Sequence, residues 1–405
     1  MEDSTRVDSR PRVLLLIPHL GGGGAEAVVA QLARGLSQSK YELHLGLLTT
    51  FEADDISLPA GICVHRLGGR RVAASTGALL RLIWQLRPRL ILSGMAHLNF
   101  MVLLLRPLFP HGTRVLVRQN TTVSLALSGG FIPPSTRWKY LLYKYADRVL
   151  CQSVAMADDL RQIVGLKVEK ISVVPNPIDV NGLRARAAAA AIATTRIAAA
   201  TRTVSDRTAS ERTASARVEG DTSTGNNSPI RLLAMGRLAP EKGFDLLLRS
   251  LLIAEEQGVG AVRLTIAGSG AEEVPLRKLC RDLKLQSVVD FAGPVKEPFV
   301  EFALADLFVL SSRLEGMPNA LLEAAAYGLP IVATPCSGGV VDLLRGQPGV
   351  WLAEDVSAGS LASALRSALG VIWSGERFAH DFVDRFAFER AIGAYEAVFD
   401  EELKW

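Results

Sequence analysis

Short apolar runs recur along both halves of this 405-residue chain. In the first half they are Val13–Pro18, Leu43–Leu48, Leu90–Ser93, Arg114–Arg118 and Val149–Ser153. In the second they are Ile230–Met235, Arg263–Ala267, Val288–Phe291, Leu307–Leu310 and Ile331–Ala333. Rich in β-branched residues and leucine, they fit strands buried on both faces. Between them apolar positions return with helical spacing, as over Ala25–Leu36, Leu79–Leu86 and Phe244–Leu252. This alternation predicts parallel sheets covered on both sides, the α/β class. Two such blocks predict two Rossmann-like parallel-sheet domains facing each other across a cleft. Open sheets of this kind bind ligands at the carboxyl ends of their strands, where the polar motifs of both halves fall.

The pattern breaks down over residues 184–228. From Val204 to Pro229 there is no aromatic residue and almost nothing to bury. The segment therefore reads as a low-complexity, disordered linker or insertion, with an alanine run near 187–200 that suits a short helix. The predicted domains are 11–183 and 229–385. A C-terminal helix within 386–405 can pack back on the first domain.

With 49% hydrophobic and 21% charged residues the chain can bury two sizeable cores. Cys63, Cys151, Cys280 and Cys336 are far apart and form no C-x-x-C pair. That fits a reducing compartment without a disulfide framework or zinc site. The start, MEDSTRVDSRPR, lacks the apolar core of a secretory signal. The longest apolar run, Phe100–Leu105, stops at Arg106, far short of the ~20 residues of a spanning helix. These features predict a cytoplasmic protein. Charge is uneven: residues 1–183 carry +8, residues 184–228 carry +3 and residues 229–405 carry −7. A basic first half suits an anionic membrane surface. The stretch Arg137-Trp138-Lys139-Tyr140-Leu141-Leu142-Tyr143-Lys144-Tyr145 mixes cations with aromatic and apolar residues, and such a stretch can lie at an interface. An amphipathic helix packed on its own sheet fits it equally. Nucleic acid is not expected, because no aromatic-interleaved basic stripe runs along the first half.

The candidate chemistry lies in GRLAPEKGFDLLL, from Gly236, and SSRLEGMPNALLEAAAYGLPIVAT, from Ser311. Arg237 and Lys242 stand beside a helix start, where free amides and the helix dipole also favour a diphosphate. Glu315 precedes a second helix opening near Pro318, so the amides of Gly316 and Met317 can meet phosphate or sugar oxygens. Glu315 and Glu323 can accept hydrogen bonds from ribose and sugar hydroxyls. Together these residues predict a site for a nucleotide-activated sugar. In the first half, Gly21–Gly24 follow a strand and precede a helix, so Gly22 and Gly23 can let backbone approach a phosphate or sugar. This run is not a G-x-G-x-x-G dinucleotide fingerprint. His97 follows a strand end and is expected to face the cleft. No Asp-x-Asp occurs and the histidines show no ligand spacing, so no metal and no other cofactor are expected.

These motifs resemble the retaining GT-B glycosyltransferases of family four. The E-x7-E spacing of Glu315 and Glu323 matches, and so do GGGGAEAVVAQLARGL, SGMAHLNF with its His97, CQSVAMADDL and VPNPID. The closest look is to bacterial transferases that build cell-surface polysaccharides or lipid-linked glycans. The resemblance implies the GT-B fold, with an acceptor domain first and a nucleotide-sugar donor domain second. It implies a retaining, metal-independent hexosyltransferase using a UDP- or GDP-linked sugar and a glycan or polyprenyl-linked acceptor. The protein would be peripheral on the inner face of the cytoplasmic membrane. By the same resemblance Arg237, Lys242, Glu315 and His97 are catalytic, with His97 and Glu315 on the donor sugar. Glu323 takes the ribose, and Gly22, Gly23, Gly316, Met317 and Pro318 line the donor. Gly268, Gly270 and Val295 border the base, Val295 through its backbone. Two departures bear on sugar identity. Gln119 stands where relatives place an acid or histidine, and SGGVVDLL follows TPC where they tend to have proline and arginine; Asp342 can still stand close to the donor pocket. A GT-B sugar-nucleotide epimerase and a noncatalytic sugar-nucleotide-binding protein are the alternatives.

Overall fold

The computed structural model describes residues 10–404, apart from Gly22, residues 51–57, 191–228 and 296–297, and Trp373. Two parallel sheets organise the chain. The first contains β1 (Arg12–Ile17), β2 (Glu42–Thr49), β3 (Cys63–Gly69), β4 (Leu90–Ser93), β5 (Arg114–Arg118), β6 (Arg148–Cys151) and β7 (Ile171–Val173), in the order β3-β2-β1-β4-β5-β6-β7. The second contains β8 (Ile230–Met235), β9 (Val262–Ala267), β10 (Val289–Gly293), β11 (Leu307–Leu310), β12 (Ile331–Ala333) and β13 (Val350–Leu352), in the order β10-β9-β8-β11-β12-β13. The helices of the first part are α1 (Gly24–Gly35), α2 (Thr76–Leu86), α3 (Ala96–Leu105), α4 (Val123–Ser128), α5 (Val154–Val164) and α6 (180–190). Those of the second are α7 (Phe244–Glu256), α8 (Glu273–Asp282), α9 (Pro298–Leu304), α10 (Asn319–Ala326), α11 (Gly338–Leu344), α12 (Ala358–Leu369) and α13 (Phe388–Leu403).

Both faces of each sheet are covered, which is why the central strands read as unbroken apolar runs. Along β1, Leu14 and Leu16 enter one core while Val13, Leu15 and Ile17 enter the core on the opposite face. Along β8, Leu233 and Leu232 divide in the same way. Three strands escaped the sequence pattern: β3, β7 and β13. All lie at sheet edges and are short or half-exposed, so burial on both faces does not mark them.

The chain changes domain earlier than residue 183. Ile178, Val180 and Leu183 are buried in the core of the second domain, and Ala187 and Ala190 pack against it. Arg184 pairs with Asp384 at 2.6 Å. The crossing therefore lies near 174–178, and the predicted disordered segment, as far as residue 190, is helix α6. The rest of that segment, 191–228, lies outside the described residues.

A second crossing runs alongside the first. Ile178 N donates to Phe386 O at 2.9 Å, and Ile178 bridges Ala387. Beyond it α13 returns to the first domain, burying Ile392, Tyr395, Val398 and Phe399 against β1 and α1. Glu396 accepts from Ser37 N and Lys40 Nζ, both at 2.8 Å. Arg148 pairs with Glu401 and Glu402. Among the described residues no helix is long and apolar enough to cross a membrane.

Candidate active site

In each sheet the strand order reverses beside the first strand, between β1 and β4 and between β8 and β11. Loops leaving such a pair diverge and open a crevice at the carboxyl ends. Most of the predicted residues sit on these four loops.

In the second domain the two loops are laced together. Gly243, ahead of α7, has φ 63°, and a Cβ there would stand 2.1 Å from the Ser311 carbonyl oxygen, so only glycine fits. The Ser311 hydroxyl donates to Lys242 O at 3.0 Å. Arg313 N donates to Glu241 O at 2.7 Å, and the Arg313 guanidinium forks onto Asp245. This lacing brings Lys242 Nζ within 2.6 Å of Glu315 Oε1, which also accepts from Ser312 Oγ at 2.8 Å. Glu315 is only 8% exposed. The cation and acid predicted to meet different parts of one ligand thus form an ion pair with each other. Arg237 is exposed and pairs with Glu241 at 2.6 Å.

Gly316, Met317 and Pro318 lead from Glu315 into α10. Pro318 offers no side-chain cap, so the first amides of the helix remain available to a ligand. Glu323 lies one turn into α10, partly buried. Among the described residues no side chain pairs with its carboxylate. Burial pushes that carboxyl up to about 7. An acid with a raised folded-state pKa binds more protons folded than unfolded between its two pKa values, so its contribution to stability falls as pH rises towards 7. Glu323→Gln is therefore expected to raise the melting temperature at pH 8 and to leave it unchanged near pH 4. Equal shifts at both pH values would contradict this environment.

Gly268 and Gly270 have a packing role. A Cβ at Gly268 would come 1.9 Å from Gly236 O, and one at Gly270 would come 2.2 Å from Leu238 O. Their lack of a side chain lets the loop after β9 rest on the loop after β8. Val295 is partly buried against the cluster containing Met317 and Leu321.

In the first domain Gly22 lies outside the described residues. Gly23 precedes α1, and the Glu26 carboxylate folds back to within 2.2 Å of where a Gly23 Cβ would be. A buried acid over this loop disfavours a phosphate at Gly23 by like-charge repulsion. Gly24 O instead accepts from Asn319 Nδ2 of α10 at 3.2 Å. His97, in the first turn of α3, is solvent-exposed; partial dehydration, and then the neighbouring His19, lower its basicity.

The two crevices face each other with little room between their walls. A Cβ on Gly316 would lie 2.2 Å from Asn120 O and 2.8 Å from Gln152 Oε1. Asn120 Nδ2 in turn donates to Gly94 O, three residues before His97. The Glu315 turn and the His97 helix therefore open onto one mouth. The SGGVVDLL segment belongs to the same seam. Ser337 Oγ caps α11, and Cβ atoms on Gly338 and Gly339 would lie 2.9 Å from Ala155 Cβ and 2.7 Å from Ser153 Oγ. Asp342 is exposed on α11, and the cation it influences is Arg385. Gln119 does not reach the mouth. It is buried, its Oε1 accepts from Tyr143 OH at 2.8 Å, and its Nε2 donates to Thr121 O at 2.6 Å. Sequence reasoning missed Arg118, Asn176 and Asn319, which hydrogen-bond across this seam. Both asparagines follow a proline and carry no signal beyond that of turn formers.

Among the described residues no group of three His, Cys, Asp or Glu side chains could hold a metal ion.

The family model described as "Glycosyltransferase Family 4" matches residues 22–181, and that described as "Glycosyl transferases group 1" matches residues 229–370. Each half thus matches a glycosyltransferase family model. The group 1 half holds Lys242, Glu315 and Glu323, and the family 4 half holds the glycine loop and His97. The amylovoran biosynthesis glycosyltransferase AmsK of Erwinia amylovora is 34% identical over 147 residues, 34% of this chain and 36% of that protein. The chain spans about a third of the length of the first curated relatives it matches. A longer match is the N-acetylgalactosamine-N,N'-diacetylbacillosaminyl-diphospho-undecaprenol 4-alpha-N-acetylgalactosaminyltransferase of Campylobacter jejuni. It is 25% identical over 379 residues, 88% of this chain and 89% of that protein. Among solved structures, HepE of Anabaena in complex with UDP and glucose has a TM-score of 0.71 at 16% identity, covering 97% of this chain and all of that one. Sucrose-phosphate synthase of Thermosynechococcus elongatus has a TM-score of 0.74 at 17% identity, covering 97% of this chain and 99% of that one. The two facing Rossmann-like domains constitute the GT-B fold.

Proposed function

We propose that this protein is a retaining, metal-independent glycosyltransferase that moves a sugar from a nucleoside diphosphate to a glycan or lipid-linked acceptor. One observation carries the reading: Lys242, Glu315 and the uncapped start of α10 converge at the switch point of the group 1 half, facing the family 4 half. Lys242 and Arg237 take the diphosphate and offset charge developing on the leaving nucleotide. The amides of Gly316 and Met317 add donors beside it. Glu315 meets the donor sugar and Glu323 the ribose. His97 contacts the sugar from the opposite wall. Lys242 and the helix start perform the electrostatic task that a metal performs elsewhere. UDP sugars are the first donors to try, because HepE was solved with UDP and glucose. The Campylobacter relative, named for a diphospho-undecaprenol substrate, supports a lipid-linked acceptor. A panel of UDP and GDP sugars, screened by thermal shift and then for transfer to polyprenyl diphosphate glycans, tests the reading. Stabilisation by one nucleotide class and transfer undiminished in excess chelator are expected. No stabilisation by any nucleotide would overturn the function, and a loss in chelator restored by magnesium or manganese would overturn metal independence.

The family 4 half carries a surface suited to the acceptor's membrane. Residues Pro134–Tyr145 form a 3-10 helix that is half core and half surface. Tyr140 and Tyr143 are buried, while Arg137, Trp138, Lys139, Leu141, Lys144 and Tyr145 are exposed. The α3 side of the same half exposes Trp84, Leu104 and Leu108. Aromatic rings at headgroup level with cations on anionic lipid are favourable. Peripheral binding at the cytoplasmic face of the membrane follows, bringing the cleft to a lipid-linked acceptor. Binding to vesicles containing anionic lipid is expected at low salt, lost at high salt, and weakened by charge reversal at Arg137, Lys139 and Lys144. Indifference to anionic vesicles at low salt would point to a soluble acceptor.

A further inference from the structure

The first crossing between domains passes through a buried hydrogen-bond relay. Arg118, at the carboxyl end of β5, is 2% exposed, and among the described residues no carboxylate pairs with it. Its guanidinium donates to three separate segments: Nε to Tyr395 Oη of α13 at 3.0 Å, Nη1 to Asn120 Oδ1, and Nη2 to Asn176 Oδ1 at 2.5 Å. Asn176, in the crossing and 3% exposed, passes the connection on. Its Nδ2 donates to Asn319 Oδ1 at 2.6 Å and to Met317 O at 3.3 Å. Asn319 Nδ2 then returns to the first domain at Gly24 O, 3.2 Å away.

The direction of this relay is set by chemistry. Arginine only donates, so Asn176 must turn its oxygen to Arg118 and its nitrogen to Met317 and Asn319. That leaves Asn319 with its oxygen inward and its nitrogen to Gly24. Each amide uses both ends, and a link broken at Asn176 strands a buried polar group. The segment thus clamped, Met317–Asn319, begins two residues after Glu315 and opens α10, the helix that carries Glu323. Gly316, in the same turn, rests against Asn120, whose side-chain oxygen Arg118 also holds.

We propose that Arg118, Asn176 and Asn319 are positioning residues, which hold the Glu315–Asn319 turn of the second domain against the glycine loop and Asn120 of the first. The inference rests on the proposed function only for what is positioned: a donor held by the second domain, presented to groups of the first. In that reading the nucleotide contacts all lie in the second domain. Breaking the relay should therefore spare nucleotide affinity and impair turnover, because misplacement by about an ångström can cost up to ~100-fold.

The decisive variant is Asn176→Asp. It keeps an acceptor for Arg118 and gives that cation a carboxylate partner, so the fold is retained. It removes the donor to Asn319 and Met317. Asn319 can respond only by turning its amide, which abandons Gly24. Asn319→Ala and the double variant complete a cycle. The expected results are folded proteins with melting temperatures modestly below wild type, faster hydrogen exchange over residues 312–323, UDP affinity within about threefold, and kcat reduced about tenfold or more. The double variant should be no worse than the poorer single one, since one relay is broken in all three. Wild-type exchange over 312–323 and wild-type kcat in a folded Asn176→Asp protein would overturn the proposal. So would fully additive losses in the cycle. If the wild-type protein binds no nucleotide, the functional reading fails, and the exchange data alone still decide the relay.

Discussion

Lys242→Ala is expected to reduce sugar transfer about 10²–10³-fold, equivalent to about 2.7–4 kcal/mol of transition-state stabilisation. Lys242 is the most enclosed cation of the site, and its 2.6 Å bond to Glu315 fixes where its charge lies. In the proposed function an entering diphosphate would take the ammonium from the carboxylate, which would free Glu315 to accept sugar hydroxyls. Alanine removes the charge and leaves the buried Glu315 with Ser312 as its remaining partner. Some loss of stability accompanies the change, so Lys242→Arg, which keeps the charge, serves as the folding control. Arg237→Ala should act in the same direction with no effect on folding, because Arg237 is 61% exposed and its partner Glu241 can turn to solvent. Steady-state transfer rates and circular dichroism on all three variants check the expectation. Wild-type turnover in soluble, folded Lys242→Ala and Arg237→Ala would remove both residues from the mechanism.

The two acids should separate in their kinetics. Glu323→Ala is expected chiefly to raise KM for the donor, and Glu315→Ala chiefly to lower kcat. A contact with the spectator ribose is equally strong in ground and transition states, whereas one with the reacting sugar strengthens as the bond breaks. Their surroundings already differ. Glu315 is held by Lys242 and Ser312, while the carboxylate of Glu323 has no side-chain partner among the described residues and is pushed up to about 7 by burial. Hydroxyls donated by a ribose would stabilise its ionised form, so nucleotide affinity should rise with pH around 7 in the wild type more than in Glu323→Gln. Matching kinetic profiles for the two alanine variants would show that the acids do not divide these tasks.

Fold class and the central strands were legible because each central strand is buried on both faces and must be apolar throughout. Lys242, Glu315 and the start of α10 were legible because loop, glycine and helix start follow one another in the sequence, and backbone geometry ties such neighbours together. Edge strands β3, β7 and β13 were not, since an edge relaxes the demand for apolar residues. The domain crossing was misplaced because the alanine run from 187 looks like filler, and only the packing of Ala187 and Ala190 on the second core distinguishes a docked helix from a linker. The family resemblance sets Gln119 near the sugars, yet it is buried and accepts from Tyr143, 24 residues away. The ion pair between Lys242 and Glu315 spans 73 residues, and the relay from Arg118 through Asn176 to Asn319 spans 201. Local sequence sets the helix starts, strand ends and charged groups that a site requires. Which of those groups touch depends on how two separately wound sheets come to face each other, and long-range packing alone decides that.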